Sequence, residues 1–197
     1  MKALKHLHAA EDRIIDFDHR TQKLFGPYAK SRPMKALGFV SKLGDQPELR
    51  LISGGMLLAG ILGGNDRLMR AGARMLIAHE AATLGKDAIK GQIDRTRPRS
   101  ARNRHEKKPR KGKHLSKELT SFPSGHSAGG IAVARAFSRE YPEYGAAALG
   151  AAAAIAVLQV PRCAHYPSDV VAGVAIGVVA EAMTSAAYEG AGLSDDQ

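Results

Sequence analysis

GAAALGAAAAIAVL, residues 145–158, is an uncharged segment of small apolar residues, and VVAGVAIGVVA, residues 170–180, has a similar composition and lies in a segment that extends to residue 187. Towards the N-terminus, further segments with helical spacing of apolar residues occupy residues 51–64, 68–90 and 126–137. Charged or Gly/Pro-containing joints separate them, and the β-branched alternation typical of strands is almost absent. The sequence therefore predicts an all-α fold, a bundle of about five to six helices.

The length of these segments leaves their environment open. A helix that spans a bilayer needs about 20 predominantly apolar residues. Charges interrupt the segments here, because segment 51–64 stops at Asn65-Asp66-Arg67, Arg135 lies in the third segment and Glu181 lies in the last. Glycine and alanine permit close helix contacts in lipid and suit a tightly packed soluble bundle equally well. Composition alone therefore leaves both environments open and slightly favours the soluble bundle.

The chain divides into three regions. Residues 1–50 are predicted to contain an amphipathic helix, which ends near Gly26-Pro27, and a linker. This helix would either lie on a membrane surface or cap the bundle. Residues 51–187 form the predicted bundle, and residues 188–197 form a flexible acidic tail. Because charges occur throughout the N-terminal stretch MKALKHLHAAEDRIIDFDHR, we expect no secretory leader.

The basic charge of the chain is concentrated in one loop. The chain has 29 Lys and Arg against 19 Asp and Glu, which gives a formal charge of +10. Residues 95–117 contain eleven Lys or Arg and one acidic residue, Glu106, so this loop accounts for the whole excess. The loop has no aromatic residue on which bases would stack, so we expect an anionic substrate or lipid headgroup as its partner and no nucleic acid. The single cysteine, Cys163, excludes an internal disulfide and a cysteine-based zinc site.

Two polar motifs lie at the ends of helical segments. Lys90 and Arg97, followed by a proline, close a long segment, and together they offer a point charge and a planar fork of donors suited to a phosphate-like oxyanion. Ser124, Gly125 and His126 open another segment, where backbone N–H groups, a hydroxyl and a titratable imidazole can meet an anion. Each motif alone also fits an ordinary solvated or capped helix end.

A third motif supplies a paired histidine. His165 and Asp169 are four residues apart, which lets a carboxylate reach one ring nitrogen across a helical turn and leaves the other nitrogen unprotonated as a nucleophile or base. A lone pair of this kind is also a common structural hydrogen bond. Cys163, two residues before His165, is interpreted as a small packed residue. The three motifs together provide anion-binding groups, an acid and a nucleophile.

These motifs carry a resemblance to a known family. The order K-x6-R-P, P-S-G-H and H-x3-D resembles the three-part signature of the type 2 phosphatidic acid phosphatase and vanadium haloperoxidase superfamily. The resemblance is confined to residues 90–169. It implies a helical-bundle core like that of acid phosphatases and haloperoxidases, and metal-independent hydrolysis of phosphate esters through a phosphohistidine intermediate, with no cofactor and with vanadate as an inhibitor.

The resemblance also implies a role for each matching residue. His165 would attack phosphorus, Asp169 would orient it, and His126 would protonate the leaving oxygen and later activate water. The groups that would hold the phosphate oxygens are Lys90, Arg97, Ser124 and the amide of Gly125. One position departs from the pattern: the arginine usually found six residues before the third-motif histidine is replaced by Gln159, whereas Arg162 lies three residues before His165. We expect Arg162 to supply that charge; otherwise Gln159 offers only an amide.

The resemblance changes the expected environment and function. Among the superfamily's types, the compact lipid phosphatases fit a chain of this length, and this favours helices embedded in the membrane, in a multi-pass arrangement in the inner or plasma membrane. The expected substrate is a lipid phosphate monoester or diphosphate, such as phosphatidate or a polyprenyl phosphate. The sequence does not predict an oligomeric state. Two alternatives remain at this point, a vanadate-dependent haloperoxidase and a non-catalytic module that binds polyanions or membranes.

Overall fold

The structure is a computed structural model that describes residues 2–101, 106, 108–112, 116 and 118–192, with no account of the side chains of residues 2–5, 7 and 8. This part of the chain contains seven α-helices and one short antiparallel ribbon. The helices are α1 (Lys2–Phe25), α2 (Arg32–Val40), α3 (Gln46–Gly63), α4 (Asp66–Lys90), α5 (Gly125–Glu140), α6 (Gly145–Leu158) and α7 (Pro167–Gly190). The ribbon pairs β1 (Ile93–Asp94) with β2 (Arg110–Lys111), and 3-10 turns occur at Gly26–Tyr28, Ser41–Gly44 and Pro142–Tyr144.

The prediction of an all-α bundle is confirmed. The segments predicted from residue 51 onward correspond to α3 to α7, and the predicted N-terminal helix corresponds to α1, which ends at Phe25. Helix α2 lies where the sequence predicted a linker. Two features of the sequence mark the start of this helix. The Ser31 side chain caps it by accepting a hydrogen bond from the Met34 amide at 3.5 Å, and a proline lies in the first turn.

Small residues make up most of the core. Helix α4 packs against α3, α5 and α7, and α5 packs in turn against α6 and α7. Alanine predominates among the buried residues between these helices, and the larger members are few; the cluster comprises Leu49, Met75, Ala78, Ala82, Ala128, Ala132, Val133, Ala136 and Ala180. The Ala/Gly-rich composition noted in the sequence is therefore used to bring helix backbones close together.

One close approach joins the N-termini of α5 and α7. A Cβ atom on Gly173 would lie 2.4 Å from the carbonyl oxygen of Ser124, so only glycine permits this crossing. The Ser124 amide also donates a hydrogen bond to the carbonyl oxygen of Asp169 at 3.0 Å. The second and third sequence motifs, which are separated by a whole helical hairpin, consequently lie side by side.

Helix α1 packs on the bundle through a buried carboxylate. Asp18, which is 1% exposed, accepts hydrogen bonds from the Arg95 guanidinium at 2.7 Å and from the Ser168 amide at 3.1 Å. On its outer face α1 exposes Ile14, Phe17 and Leu24. The helix thus caps the bundle, as one of the two sequence alternatives predicted, and keeps an apolar outer face.

The basic loop 95–117 is described only in part. Its first residues enter the core, because Arg95 and Arg97 are both buried, and Arg110 and Lys111 pair with β1. Residues 102–105, 107, 113–115 and 117 lie outside the described residues, as do residues 193–197 of the predicted tail. Residues 188–190 belong to α7. Among the described helices, α7 alone combines the length and the apolar composition that crossing a membrane requires.

Candidate active site

The three sequence motifs meet at one cleft. It has a volume of about 410 Å³ and lies at the ends of α4, α5 and α7, where the turn before α3 closes it. Residues from all three motifs line it together with residues from the N-terminal region; the lining consists of Gly44, Asp45, Gln46, Pro47, Glu48, Lys86, Lys90, Arg97, Gly125, His126 and His165. Lys90, Arg97, Gly125, His126 and His165 are thus brought together as the motifs predicted.

Hydrogen bonds on both sides of the ring fix the tautomer of His165. Its Nδ1 lies 2.7 Å from the carbonyl oxygen of Ser121, which can only accept, so Nδ1 bears the proton. The Nη1 of Arg97, which can only donate, lies 3.2 Å from Nε2. Burial lowers the pKa of His165, which keeps the ring neutral. Nε2 is therefore unprotonated, and its lone pair accepts a hydrogen bond from Arg97 on the side of the ring that lines the cleft.

The contacts of Asp169 differ from the direct contact with His165 that the sequence predicts. Its Oδ2 lies 3.7 Å from His165 Nδ1, beyond hydrogen-bond distance, so the direct partner of the ring is the Ser121 carbonyl. The carboxylate instead accepts hydrogen bonds from the Ser121 hydroxyl at 2.6 Å, from the Tyr166 amide at 2.9 Å and from the Arg95 guanidinium. Asp169 therefore holds the segment that orients His165 and adds a negative charge beside the ring.

Three cations line the cleft. Arg97 donates to the Ala164 carbonyl at 3.0 Å, which points its guanidinium towards His165. Burial, followed by the charges of Lys86 and Arg97, lowers the pKa of Lys90 to about 8. Burial and the neighbouring charge of Arg99 likewise lower the pKa of Arg97. These mutually repelling cations would each be stabilised by an anion between them, as expected for an oxyanion site.

His126 is held by a carboxylate that the motifs did not include. Its Nε2 lies 2.9 Å from Asp45 Oδ1. Burial, followed by the electrostatic effects of the neighbouring His165 and Arg162, lowers the pKa of His126 to about 3. The Asp45 carboxylate acts in the opposite direction, because a neighbouring negative charge stabilises the imidazolium.

Ser124 and Gly125 have different surroundings. Gly125 begins α5 and lines the cleft. Ser124 is fully buried behind it as the N-cap of α5, where its Oγ accepts hydrogen bonds from the Ser127 amide at 3.4 Å and the Ser127 hydroxyl at 2.9 Å. Ser124 therefore does not line the cleft, and its contact with phosphate stays a prediction, whereas Gly125 lines the cleft as predicted.

Arg162 does not join the lining of the cleft, contrary to the sequence expectation. Its guanidinium donates to the Ser41 hydroxyl and, at 3.2 Å, to Gln159 Oε1. Gly38 of α2 leaves the necessary space, because a Cβ there would lie 3.2 Å from Arg162 Nη2. Gln159 is buried, and its carbonyl oxygen accepts from the amides of Ala164 and His165, so it shapes the turn before α7.

Three contributors to the cleft were missed in the sequence. Lys86 lies one helical turn before Lys90, so the i, i+4 spacing could have revealed it. Asp45 and the Ser121 carbonyl gave no such signal, because each reaches its histidine from a distant part of the chain.

The comparison with protein families agrees with this geometry. Residues 71–191, which include every motif residue of the cleft, match the model of the PAP2 superfamily. The chain belongs to the PAP2 superfamily. Two curated PAP2 relatives are both called lipid A 1-phosphatase: that of Rhizobium etli is 41% identical over 73 residues, and that of Rhizobium johnstonii is 40% identical over 73 residues.

The similarity to these relatives covers only part of each chain. The aligned stretch makes up 37% of this chain and 32% of the Rhizobium etli protein, and 37% of this chain and 30% of the Rhizobium johnstonii protein. This PAP2 chain thus spans about a third of the length of the relatives it matches. No solved structure matches it significantly.

Proposed function

We propose that the protein is a phosphatase that hydrolyses a lipid phosphate monoester or diphosphate through a phosphohistidine intermediate. The observation that carries this proposal is the fixed tautomer of His165, whose Nε2 lone pair adjoins a cleft lined by Lys86, Lys90 and Arg97. A neutral imidazole beside three cations is suited to attack a bound phosphoryl group. The relatives' name supports a lipid phosphate as substrate, and a lipid A-type 1-phosphate is the first one to test.

The first chemical step forms a phosphorus–nitrogen bond. Arg97 turns its donor from Nε2 to the bound phosphate, and the freed Nε2 lone pair of His165 attacks phosphorus. The bond from phosphorus to the leaving oxygen breaks, and His126 donates a proton to that oxygen. Lys90, Arg97 and the Gly125 amide hold the non-bridging oxygens. Preorganised donors of this kind each contribute a few kcal/mol to stabilising the transition state, on the order of 2.7 to 4.

The second step returns the enzyme to its starting state. Neutral His126 accepts a proton from water, the resulting hydroxide attacks phosphorus, and the phosphorus–nitrogen bond breaks to release inorganic phosphate. The electron pair returns to His165 Nε2. An anionic substrate adds negative charge near His126 and raises its pKa. The substrate and Asp45 together therefore favour the protonated His126 that the first step needs.

The apolar outer surface supports a site of action at a membrane. Large apolar side chains are exposed along three helices; they include Leu51, Leu58, Ile61 and Leu62 of α3, Ile77 and Leu84 of α4, and Val171, Val179 and Met183 of α7. Exposed apolar surface of this extent is typical of proteins that contact lipid or partners. We propose that the substrate reaches the cleft from a bilayer with which these helices are in contact.

A phosphate-release assay tests the proposed function. Purified full-length protein in neutral detergent, without added metal, should release inorganic phosphate from at least one member of a panel containing lipid A-type 1-phosphate, phosphatidate and polyprenyl diphosphate. Vanadate should inhibit the release, because it occupies a phosphoryl site. A requirement for vanadate with halide oxidation, or no release from any substrate, would contradict the proposal.

Replacing Asp45 with asparagine is expected to lower kcat about 10- to 100-fold, less than the roughly 100- to 10,000-fold contribution of a positioned acid, because the acid itself, His126, remains. Loss of the carboxylate lowers the pKa of the His126 imidazolium in the substrate complex, so a smaller fraction is protonated at neutral pH. The alkaline limb of the kcat profile should therefore move to lower pH. Glu48→Gln is the matched control, because Glu48 lines the same cleft. An unchanged profile for Asp45→Asn would exclude this role.

A further inference from the structure

A second cavity adjoins the catalytic cleft and has no role in the mechanism described above. It has a volume of about 870 Å³ and lies between α1, α2, the turn after Arg97 and the turn before His165. We call it the basic cavity. Six cationic side chains line it, and none of the described residues in its wall is acidic; the six are Lys23, Lys30, Lys35, Lys42, Arg99 and Arg162.

Most of these charges have no acidic partner in the described part of the chain. Arg99 forms an exposed ion pair with Glu118 at 2.9 Å. The Asp45 carboxylate acts electrostatically on Arg162. The four lysines form no ion pair with a carboxylate of the described residues. A concave surface lined by like charges concentrates positive potential, which favours an anionic ligand.

The basic cavity and the catalytic cleft share their walls. Along the chain, Arg97 faces the cleft and Arg99 faces the basic cavity. On the turn before α3, Gly44 lines the cleft and Lys42 lines the basic cavity. His165 lines the cleft, and Arg162 lines the basic cavity just before it. Residues two apart in sequence lie at most about 7 Å apart, so the two sites lie against the same turns.

Apolar side chains complete the basic cavity. Met34 and Phe39 of α2 line it, and Phe39 is 74% exposed. Val40 and Leu43, next to Phe39 and Lys42, are also exposed large apolar residues. Cations beside exposed apolar groups match a ligand in which an anionic group is attached to a hydrocarbon chain.

We propose that the basic cavity binds a second phosphate-class anion attached to an apolar chain, while the catalytic cleft holds the phosphate to be hydrolysed. The assignment of the cleft rests on the proposed function, whereas binding to the basic cavity does not depend on turnover. The anion comes either from a second phosphate on the same substrate or from the headgroup of a neighbouring anionic phospholipid. Both sources present the same chemistry to the lysines.

Binding of a dissolved phosphodiester lipid tests the cavity without turnover. The probe is dihexanoylphosphatidylglycerol below its micelle concentration, titrated calorimetrically into the full-length protein. Lys30→Ala/Lys42→Ala should raise its Kd at least about tenfold, since each basic residue near an anionic lipid contributes about fivefold. Both lysines are exposed, so their removal should leave the thermal unfolding temperature unchanged.

The control variant is Lys108→Ala/Lys111→Ala, which removes the same charge from the surface outside both cavities. It should bind the probe within about twofold of wild type, because both lysines lie outside the basic cavity and the ion pairs of Lys108 with Glu11 and Asp12 are exposed. Equal loss of affinity in the two double variants, or no binding to wild type, would overturn the proposal. Either result is independent of whether the protein hydrolyses phosphate.

Kinetics then identify the source of the anion. If it is a second phosphate of the substrate, Lys30→Ala/Lys42→Ala raises KM about tenfold for a lipid with two phosphates and leaves KM unchanged for the matching monophosphate. If it is a neighbouring phospholipid, added phosphatidylglycerol raises kcat/KM for the monophosphate in wild type and in the control variant. In Lys30→Ala/Lys42→Ala the same addition leaves kcat/KM unchanged. The absence of both effects would overturn the proposed role in catalysis.

Discussion

Replacing His165 with asparagine is expected to lower kcat at least about 10,000-fold, because the reaction loses the atom that forms the bond to phosphorus. The Nε2 lone pair is held in place from both sides, by the Ser121 carbonyl on Nδ1 and by Arg97 on Nε2. An asparagine amide nitrogen has no comparable lone pair. Water attack inside a preorganised cleft would account for the small remaining rate.

Trapping the intermediate distinguishes a nucleophile from a binding residue. Wild-type protein mixed with a ³²P-labelled substrate and quenched in alkali should retain label, since a phosphoramidate survives alkali and is lost in acid. His165→Asn should retain none. Cys163→Ala is the matched control: Cys163 is buried two residues away, and burial raises the pKa of its thiol, which disfavours the nucleophilic thiolate. Label lost in Cys163→Ala and kept in His165→Asn would contradict the assignment.

The part of this site that sequence could predict is the part encoded by local spacing. Lys90, His126 and His165 each stand at a helix end, and the apolar segments beside them determine where those ends lie. Helix propensity and the spacing of small apolar residues depend on neighbours along the chain, so helices can be predicted from the sequence. The fold class and the position of these side chains at the cleft followed from that information.

Contacts between distant segments could not be predicted in this way. Asp45 reaches His126 only because the turn before α3 folds over the N-terminus of α5. The direction of Arg162 is set by Gly38 of α2 and by Ser41, which follows that helix, in a region where the sequence predicts only a linker. Ser121 contacts His165 through its backbone carbonyl, which is the same in every residue type and leaves no mark in the sequence.

The burial of Arg95 could not be predicted from its charge either. In the sequence it is the first residue of a basic loop, yet in the structure it is 1% exposed. It forms ion pairs with Asp18 of α1 at 2.7 Å and with Asp169 of α7, and its guanidinium lies 4.1 Å from the centre of the Tyr166 ring. One side chain thus connects the N-terminal helix to the carboxylate that supports the catalytic histidine segment.

Replacing Arg95 with methionine is therefore expected to reduce the free energy of unfolding by about 3 to 5 kcal/mol. The substitution leaves Asp18 and Asp169 buried without their shared counter-charge, and an uncompensated buried charge costs this amount. For a chain of this length the unfolding temperature should fall by about 10 °C. Scanning calorimetry in neutral detergent measures this fall in unfolding temperature.

The matched control is Arg99→Met, two residues away. Arg99 forms an exposed ion pair with Glu118, whose loss should cost no more than about 1 kcal/mol. Adding Asp18→Asn to Arg95→Met should recover part of the lost stability, because it neutralises one of the two unpaired carboxylates. Equal unfolding temperatures for Arg95→Met and Arg99→Met would show that the buried pairs do not attach α1 to the catalytic end of the bundle.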